Sequence, residues 1–219
     1  KQRAFLDDLA AVLAAALDLH RAGAGDRWLA AGLSLADEIV AHFYDPAEAD
    51  LFLTPDDGER LVHRPRSDHD GATPHSTGYA VLGLLRAASL SGRTDLQRVA
   101  ERVLRTHAFV LERAGLAYPT LLRAAAGAAR GFSVAVVMGD PASRDTRELA
   151  RAARLALGPD DGVVVTAPGA APAGLDRSWL EGRDPAGGRA TAWICRGTTC
   201  SLPLTDPGEL RAAPAQLGA

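Results

Sequence analysis

Lysine occurs once in this chain, at Lys1, methionine once, at Met138, and asparagine not at all. Residues with A-rich codons are nearly missing while alanine, arginine and glycine abound, a pattern of genomic base composition. The many arginines are therefore not read as phosphate recognition, although the guanidinium fork suits it. No uninterrupted apolar run approaches the roughly 18 residues that cross a bilayer, which sets a membrane protein aside. Arginine nowhere clusters with aromatics, and with a net charge of -3 and a pI near 6.1 the electrostatic footprint of a nucleic-acid binder is missing too. Two cysteines, Cys195 and Cys200, cannot make the disulfide framework of a small secreted domain, so a reducing cytoplasm is the expected compartment. The start lacks both methionine and the basic, apolar and cleavage-site regions of a signal peptide, and a helical pattern is under way by Phe5. The chain reads as part of something longer.

What is present is a soluble, globular composition, 47% hydrophobic and 23% charged, on 219 residues that suffice for one large core or two modest ones. Leu6, Leu9, Val12, Leu13, Ala16 and Leu17 form the stripe of a helix with one buried face, closed by Gly23 and Gly25. Asp26 stands at an N-cap position before a second stripe, from Trp28 and Leu29 to Val40 and Phe43. Alternation around the turn cluster PDDGE predicts a small β-hairpin over 51–64. Pro74 suits the first turn of a helix carrying Val81, Leu82, Leu84, Leu85 and Ala88, which Gly92 ends. Thr94 and Gln97 have the spacing of a capping box, with one stripe continuing to Gly115, and a short Ala-rich helix is expected from Pro119 to Arg130.

At Gly131 the pattern changes. Two β-branched runs, Val134 to Val137 and Val163 to Val165, flank a helical segment from Asp145 to Leu157, so a parallel βαβ unit is expected, with a third strand from Ala190 to Cys195. The loop GDPASR lacks the spaced glycines of a dinucleotide fingerprint, and no cofactor is expected. The division predicted is helical hairpins over 1–130 and a small α/β portion over 131–219.

The polar stretch RSDHDGATPHSTGYA, from Arg66 to Ala80, carries the candidate chemistry. Glycosyl transfer needs two carboxyl groups held apart, one protonated and one ionised. Asp68 and Asp70 are too near in sequence to be that pair, so at most one serves, with a partner from another hairpin; the plainer reading is that they cap turns around Gly71. His63, His69 and His75 match no established metal-ligand spacing, and no metal is expected. Asp7 and Asp8 cap the first helix or point into a cavity, with capping favoured. Cys195 and Cys200, with four residues between them, are not a redox CxxC; a buried, reduced pair is expected, a disulfide requiring a turn that brings their α-carbons within roughly 7 Å.

Taken together, FLDDLA, RPRSDHDGATP and ATAWICRGTTCSLPLTDPGEL resemble the C-terminal region of the thioredoxin-domain-containing, spermatogenesis-associated family, over nearly everything from Phe5 to Leu210. The resemblance implies a mainly α fold, part of an (α/α)6 toroid like that of six-hairpin glycosidases and N-acylglucosamine epimerases, with a small α/β portion near the end. The thioredoxin-like domain and first hairpins are absent from this chain, and no redox motif is carried over. The family loop usually reads DGA-x-P-S-G-N-S: Asp70, Gly71, Ala72 and Pro74 are kept, while His75, Ser76, Thr77 and Gly78 replace Ser, Gly, Asn and Ser. The pattern LEDYA appears as LDDLA, keeping Leu6, Asp8 and Ala10.

On this resemblance the chain is the C-terminal portion of a carbohydrate-processing-like protein. Asp70 and Asp68 are the candidate catalytic carboxylates, and His75, His69, Asp8, Thr77 and Arg66 the candidates for contact with a carbohydrate ligand. The alternatives are a non-catalytic protein-interaction scaffold whose chemistry lies in the thioredoxin-like domain, and a purely structural remnant. Leaving about ten helix-face side chains wet would cost about 1.5 to 3 kcal/mol each, rivalling the 5 to 15 kcal/mol that holds a domain folded. The missing hairpins, or self-association, are the partners expected.

Overall fold

A computed structural model describes residues 3–213. The chain is mainly helical with small sheets, and it divides into two compact units. One is built from residues up to 17 and from 29 to 130, the other from 18–28 and from 131 onward.

Helix α1 (Leu6–Ala22), which belongs to the first unit up to Leu17, buries Leu6, Leu9, Leu13, Ala16 and Leu17 of the stripe read from its spacing but leaves Val12 of that stripe exposed. Helix α2 (Arg27–His42), in the first unit from Leu29 on, buries Leu29, Ala36 and Ile39. Helix α3 (Ser76–Ser91) is buried on nearly every side from Ala80 through Leu90, as its mostly apolar sequence requires, with Arg86 the charged residue buried among them. Two glycines let neighbours reach it. A Cβ on Gly83 would lie 2.6 Å from a Leu13 side-chain carbon, and one on Gly78 would lie 2.7 Å from the backbone nitrogen of Leu121, in α6 (Pro119–Arg130). Gly92 closes α3 in the left-handed conformation at φ 69°, its N–H donating to Ala88 O, as its position predicts.

Three local expectations are corrected. The segment 51–64 is not a hairpin: the antiparallel pair is β1 (Tyr44–Asp45) with β2 (Asp50–Leu51), and the later residues contribute only a bridge between Phe52 and Arg66. Phe52 lies between the guanidinium groups of Arg64 and Arg66, each 4.0 Å from its ring, so cation–π packing holds the segment where alternation had suggested a ladder. Thr94 is the first residue of α4 (Thr94–Thr106) rather than its cap, and Gln97 bonds to Glu101. Finally, the stripe expected to run on to Gly115 breaks at His107, and a short helix α5 (Ala108–Ala114) and a 3₁₀ turn (Gly115–Ala117) follow.

The second unit holds the expected βαβ. Strands β3 (Ser133–Met138) and β4 (Gly162–Thr166) pair in parallel, Val134 opposite Gly162, with α7 (Arg144–Ala156) between them. Strand β5 (Thr191–Arg196) joins the other side of β3 antiparallel, and β6 (Thr199–Cys200) turns back on β5, giving the order β4-β3-β5-β6. Leu149, Ala153 and Leu157 of the α7 segment pack on Val137, Val163 and Ile194 together with Leu210 of α8 (Pro207–Ala212). Arg21 binds the C-terminal end of α7, donating to the carbonyls of Arg154, Leu157, Gly158 and Asp161 at 2.9 to 3.3 Å, which fills acceptors a helix end leaves open.

The reduced pair expected at Cys195 and Cys200 is also corrected. The two face each other across β5 and β6 with α-carbons 4.0 Å apart and form a disulfide, Cys195 buried and Cys200 exposed. The tight turn at Gly197, φ 56°, brings them together, which the spacing alone does not reveal.

Candidate functional site

The site grows from the loop between Arg66 and His75, which leads into α3. Asp70 sits at its centre, half-buried. Its carboxylate accepts the backbone N–H of His75 at 2.9 Å and of Thr120 at 3.1 Å, and the Thr120 hydroxyl donates to it as well. The Asp70 N–H in turn donates to Ala117 O at 3.0 Å. His75 is the N-cap of α3 and Thr120 lies in the first turn of α6, so one carboxylate serves two helix starts, where a negative charge is favoured. Burial raises the Asp70 pKa, but the Thr120 hydroxyl and the two N–H donors outweigh it and hold the carboxyl below the ordinary carboxylate range. A carboxylate so held is a strong anchor and a poor proton donor.

His75 is 1% exposed. Its Nδ1 accepts the Gly78 N–H at 3.0 Å, so a neutral ring carries its proton on Nε2, and that nitrogen is buried with no hydrogen-bond partner among the described residues. The ring meets His107 and Tyr118 edge to face, with centroids 6.0 and 5.5 Å away. Burial, then the nearby His107, lower its pKa against the opposing pull of Asp70 and Asp50.

Behind this group lies an ionic chain. His107 Nε2 is 3.0 Å from Asp50 Oδ1; Arg66 reaches Asp50 Oδ2 at 3.4 Å and Asp45 Oδ2 at 2.6 Å. Burial raises the Asp50 pKa, yet the hydrogen bonds from His107 and the Leu51 N–H bring the net shift below the usual value. Asp45 is lowered chiefly by its hydrogen bond with Arg66.

Of the residues singled out from sequence, Asp70, His75 and Arg66 thus belong to one connected cluster in the first unit. Thr77 is buried in the first turn of α3. Asp68 and His69 instead face solvent, paired with each other at 3.3 Å. Asp8 accepts the Phe5 N–H at 3.0 Å at the start of α1, the capping role its position favours. Asp50, His107, Tyr118 and Thr120 were missed, because each is joined to the loop only by tertiary structure. Among the described residues the group close enough to hold a cation is His42, Asp56 and Asp57 rather than the loop histidines, and Arg3 already lies 2.7 Å from Asp57.

The chain aligns over nearly its whole length with proteins of three mammals. It is homologous to spermatogenesis-associated protein 20. Identity is 30% over 210 residues, 94% of this chain, with the protein of Mus musculus, and equally 30% with those of Rattus norvegicus and Homo sapiens. The chain spans about a quarter of these relatives, 26% of the mouse and rat proteins and 27% of the human one. No protein-family model matches it. The stretch homologous to spermatogenesis-associated protein 20 takes in both compact units and therefore the whole cluster around His75. No helix among the described residues is long and apolar enough to cross a membrane.

Proposed function

We propose that this chain is the C-terminal portion of a thioredoxin-domain-containing protein, and that its helical hairpins complete an α/α toroid of the glycosidase and epimerase kind. In this reading the loop from Arg66 to His75 lies at the mouth of the ring and a sugar-sized ligand is held there. The observation that carries it is the His75 ring, buried amid a cluster of charged and aromatic groups with a nitrogen that has no acceptor among the described residues. Buried charges are no better for stability than well-packed apolar residues, so a cluster of this size asks for a further role. Asp70 then acts as a positioning residue, the half-buried Tyr118 supplies contact with the buried His75 ring packed against it, and a proton-donating carboxyl comes from the remainder of the ring. Phe5, Val12, Phe109 and Leu116 are exposed in the first unit, apolar surface that further hairpins of such a ring would cover.

Calorimetric titration of the full-length protein with monosaccharides and polyols tests the reading. Binding that is weakened by Tyr118→Ala, with folding intact, supports it; a panel without any binding discards it. A second reading, a scaffold module, is favoured by a different observation: the Asp70 oxygens are already engaged by protein donors, so the loop is ordered without a ligand. Capture of a protein partner that Asp68→Arg abolishes, on a loop indifferent to sugars, distinguishes the two.

A further inference from the structure

The second unit contains a cavity of about 410 Å³ whose wall includes His20, Asp26, Arg147, Arg154, Pro141 and Val165. Pro141 follows the end of β3, and Val165 is the penultimate residue of β4. The cavity therefore lies beyond the carboxyl ends of a parallel strand pair, the position at which open α/β sheets bind ligands.

Its charge is unbalanced. Arg147 and Arg154 stand two turns apart on α7, and among the described residues neither has a carboxylate partner. Arg154 is half-buried and donates to Arg21 O at 2.7 Å, while Arg147 donates to Ala142 O and keeps its remaining guanidinium nitrogens uncommitted. Asp26 is the one acid among the lining residues. His20 is 6% exposed, and its Nε2 is buried without a hydrogen-bond partner among the described residues. Gly23, at φ 85°, also lines the cavity, and a Cβ there would come within 2.8 Å of Arg154 Nη2, so its bareness leaves the guanidinium its place.

We propose that this cavity binds a phosphate monoester of a small alcohol or sugar, its phosphate held by Arg147 and Arg154 with His20 Nε2 as a further donor. Two guanidinium groups and an imidazole N–H match the several acceptor oxygens of a phosphate better than the two of a carboxylate. Ala22, Pro141 and Ala150 give the remaining wall an apolar face, and the volume exceeds what a bare phosphate ion needs, so the ligand carries an organic group. The inference is independent of the sugar reading of the Asp70 loop, which belongs to the other unit.

The test is calorimetric titration of the full-length protein with glycerol 3-phosphate, inorganic phosphate and glycerol. Glycerol 3-phosphate is expected to bind more tightly than inorganic phosphate and glycerol not at all. Arg147→Met is expected to weaken the ester about tenfold, with the thermal midpoint of the unliganded protein unchanged. His20→Leu should weaken it as well. Equal binding of glycerol and its phosphate, binding of neither phosphate compound, or an affinity indifferent to Arg147→Met overturns the proposal.

Discussion

The Asp70 carboxylate accepts the backbone N–H of Thr120 at 3.1 Å, joining positions fifty residues apart in sequence. A single loop residue thereby fixes the start of α6 against the start of α3. Asp70→Asn keeps the shape but removes the charge from bonds to three donors, and a loss of about 1 to 3 kcal/mol is expected at neutral pH by urea denaturation. The native pKa is lowered, so this contribution is complete above the unfolded value near about 4 and disappears as pH falls through the native one. The gap between wild type and variant should therefore close in acid.

His75 and His20 set a second pH dependence. Burial lowers both pKa values, so as pH falls below about 6.5 the unfolded chain binds protons before the native one and stability declines. The decline levels off only once pH drops below the lowered native values. In His75→Asn, which retains an N-cap acceptor, the slope between neutral and mildly acidic pH should be shallower than in the wild type. An unchanged slope would remove His75 from the account.

Gly78→Ala should be severe. Its Cβ would fall 2.7 Å from the Leu121 nitrogen and 2.9 Å from its Cα, both backbone atoms that a side-chain rotation cannot move. A loss of about 1 to 3 kcal/mol, read from the thermal midpoint, is expected from the forced separation of α3 and α6. Gly71→Ala is the control: nothing lies within 4 Å of its Cβ, and the midpoint should barely shift.

Reduction of the disulfide supplies a further test. Iodoacetamide should add nothing to the native protein and two adducts after reduction and unfolding, as read by mass spectrometry. The loop closed is short, so Cys200→Ser should cost only about 2 kcal/mol.

The helices of the first unit and the βαβ of the second were legible because burial leaves a period: Leu6, Leu9, Leu13 and Leu17 on one helical face, Val134 to Val137 through a covered sheet. The segment after Leu51 was not, since an aromatic ring held between two arginines produces the same alternation as a half-buried strand. Within the site, Asp70 and His75 announced themselves as polar residues beside Gly and Pro. Their partners Thr120 and His107 look like any other residue in a helix, and only the packing of α6 and of the α4–α5 break on the loop selects them. The His20 cavity was illegible for a compositional reason: where arginine is abundant throughout, Arg147 and Arg154 do not stand out until folding puts them on one wall.

The turn back through β6 has a consequence for the solubility of the second unit. Beyond the Cys195–Cys200 link, the returning chain exchanges backbone hydrogen bonds between Ala192 and Leu204 at 2.8 and 2.9 Å. The outer margin of β5 is thus occupied by its own chain along much of its length and offers little template on which a foreign strand might dock. Cutting the link would leave that cover to the backbone hydrogen bonds alone, and wherever they open the margin becomes a site for edge-to-edge aggregation.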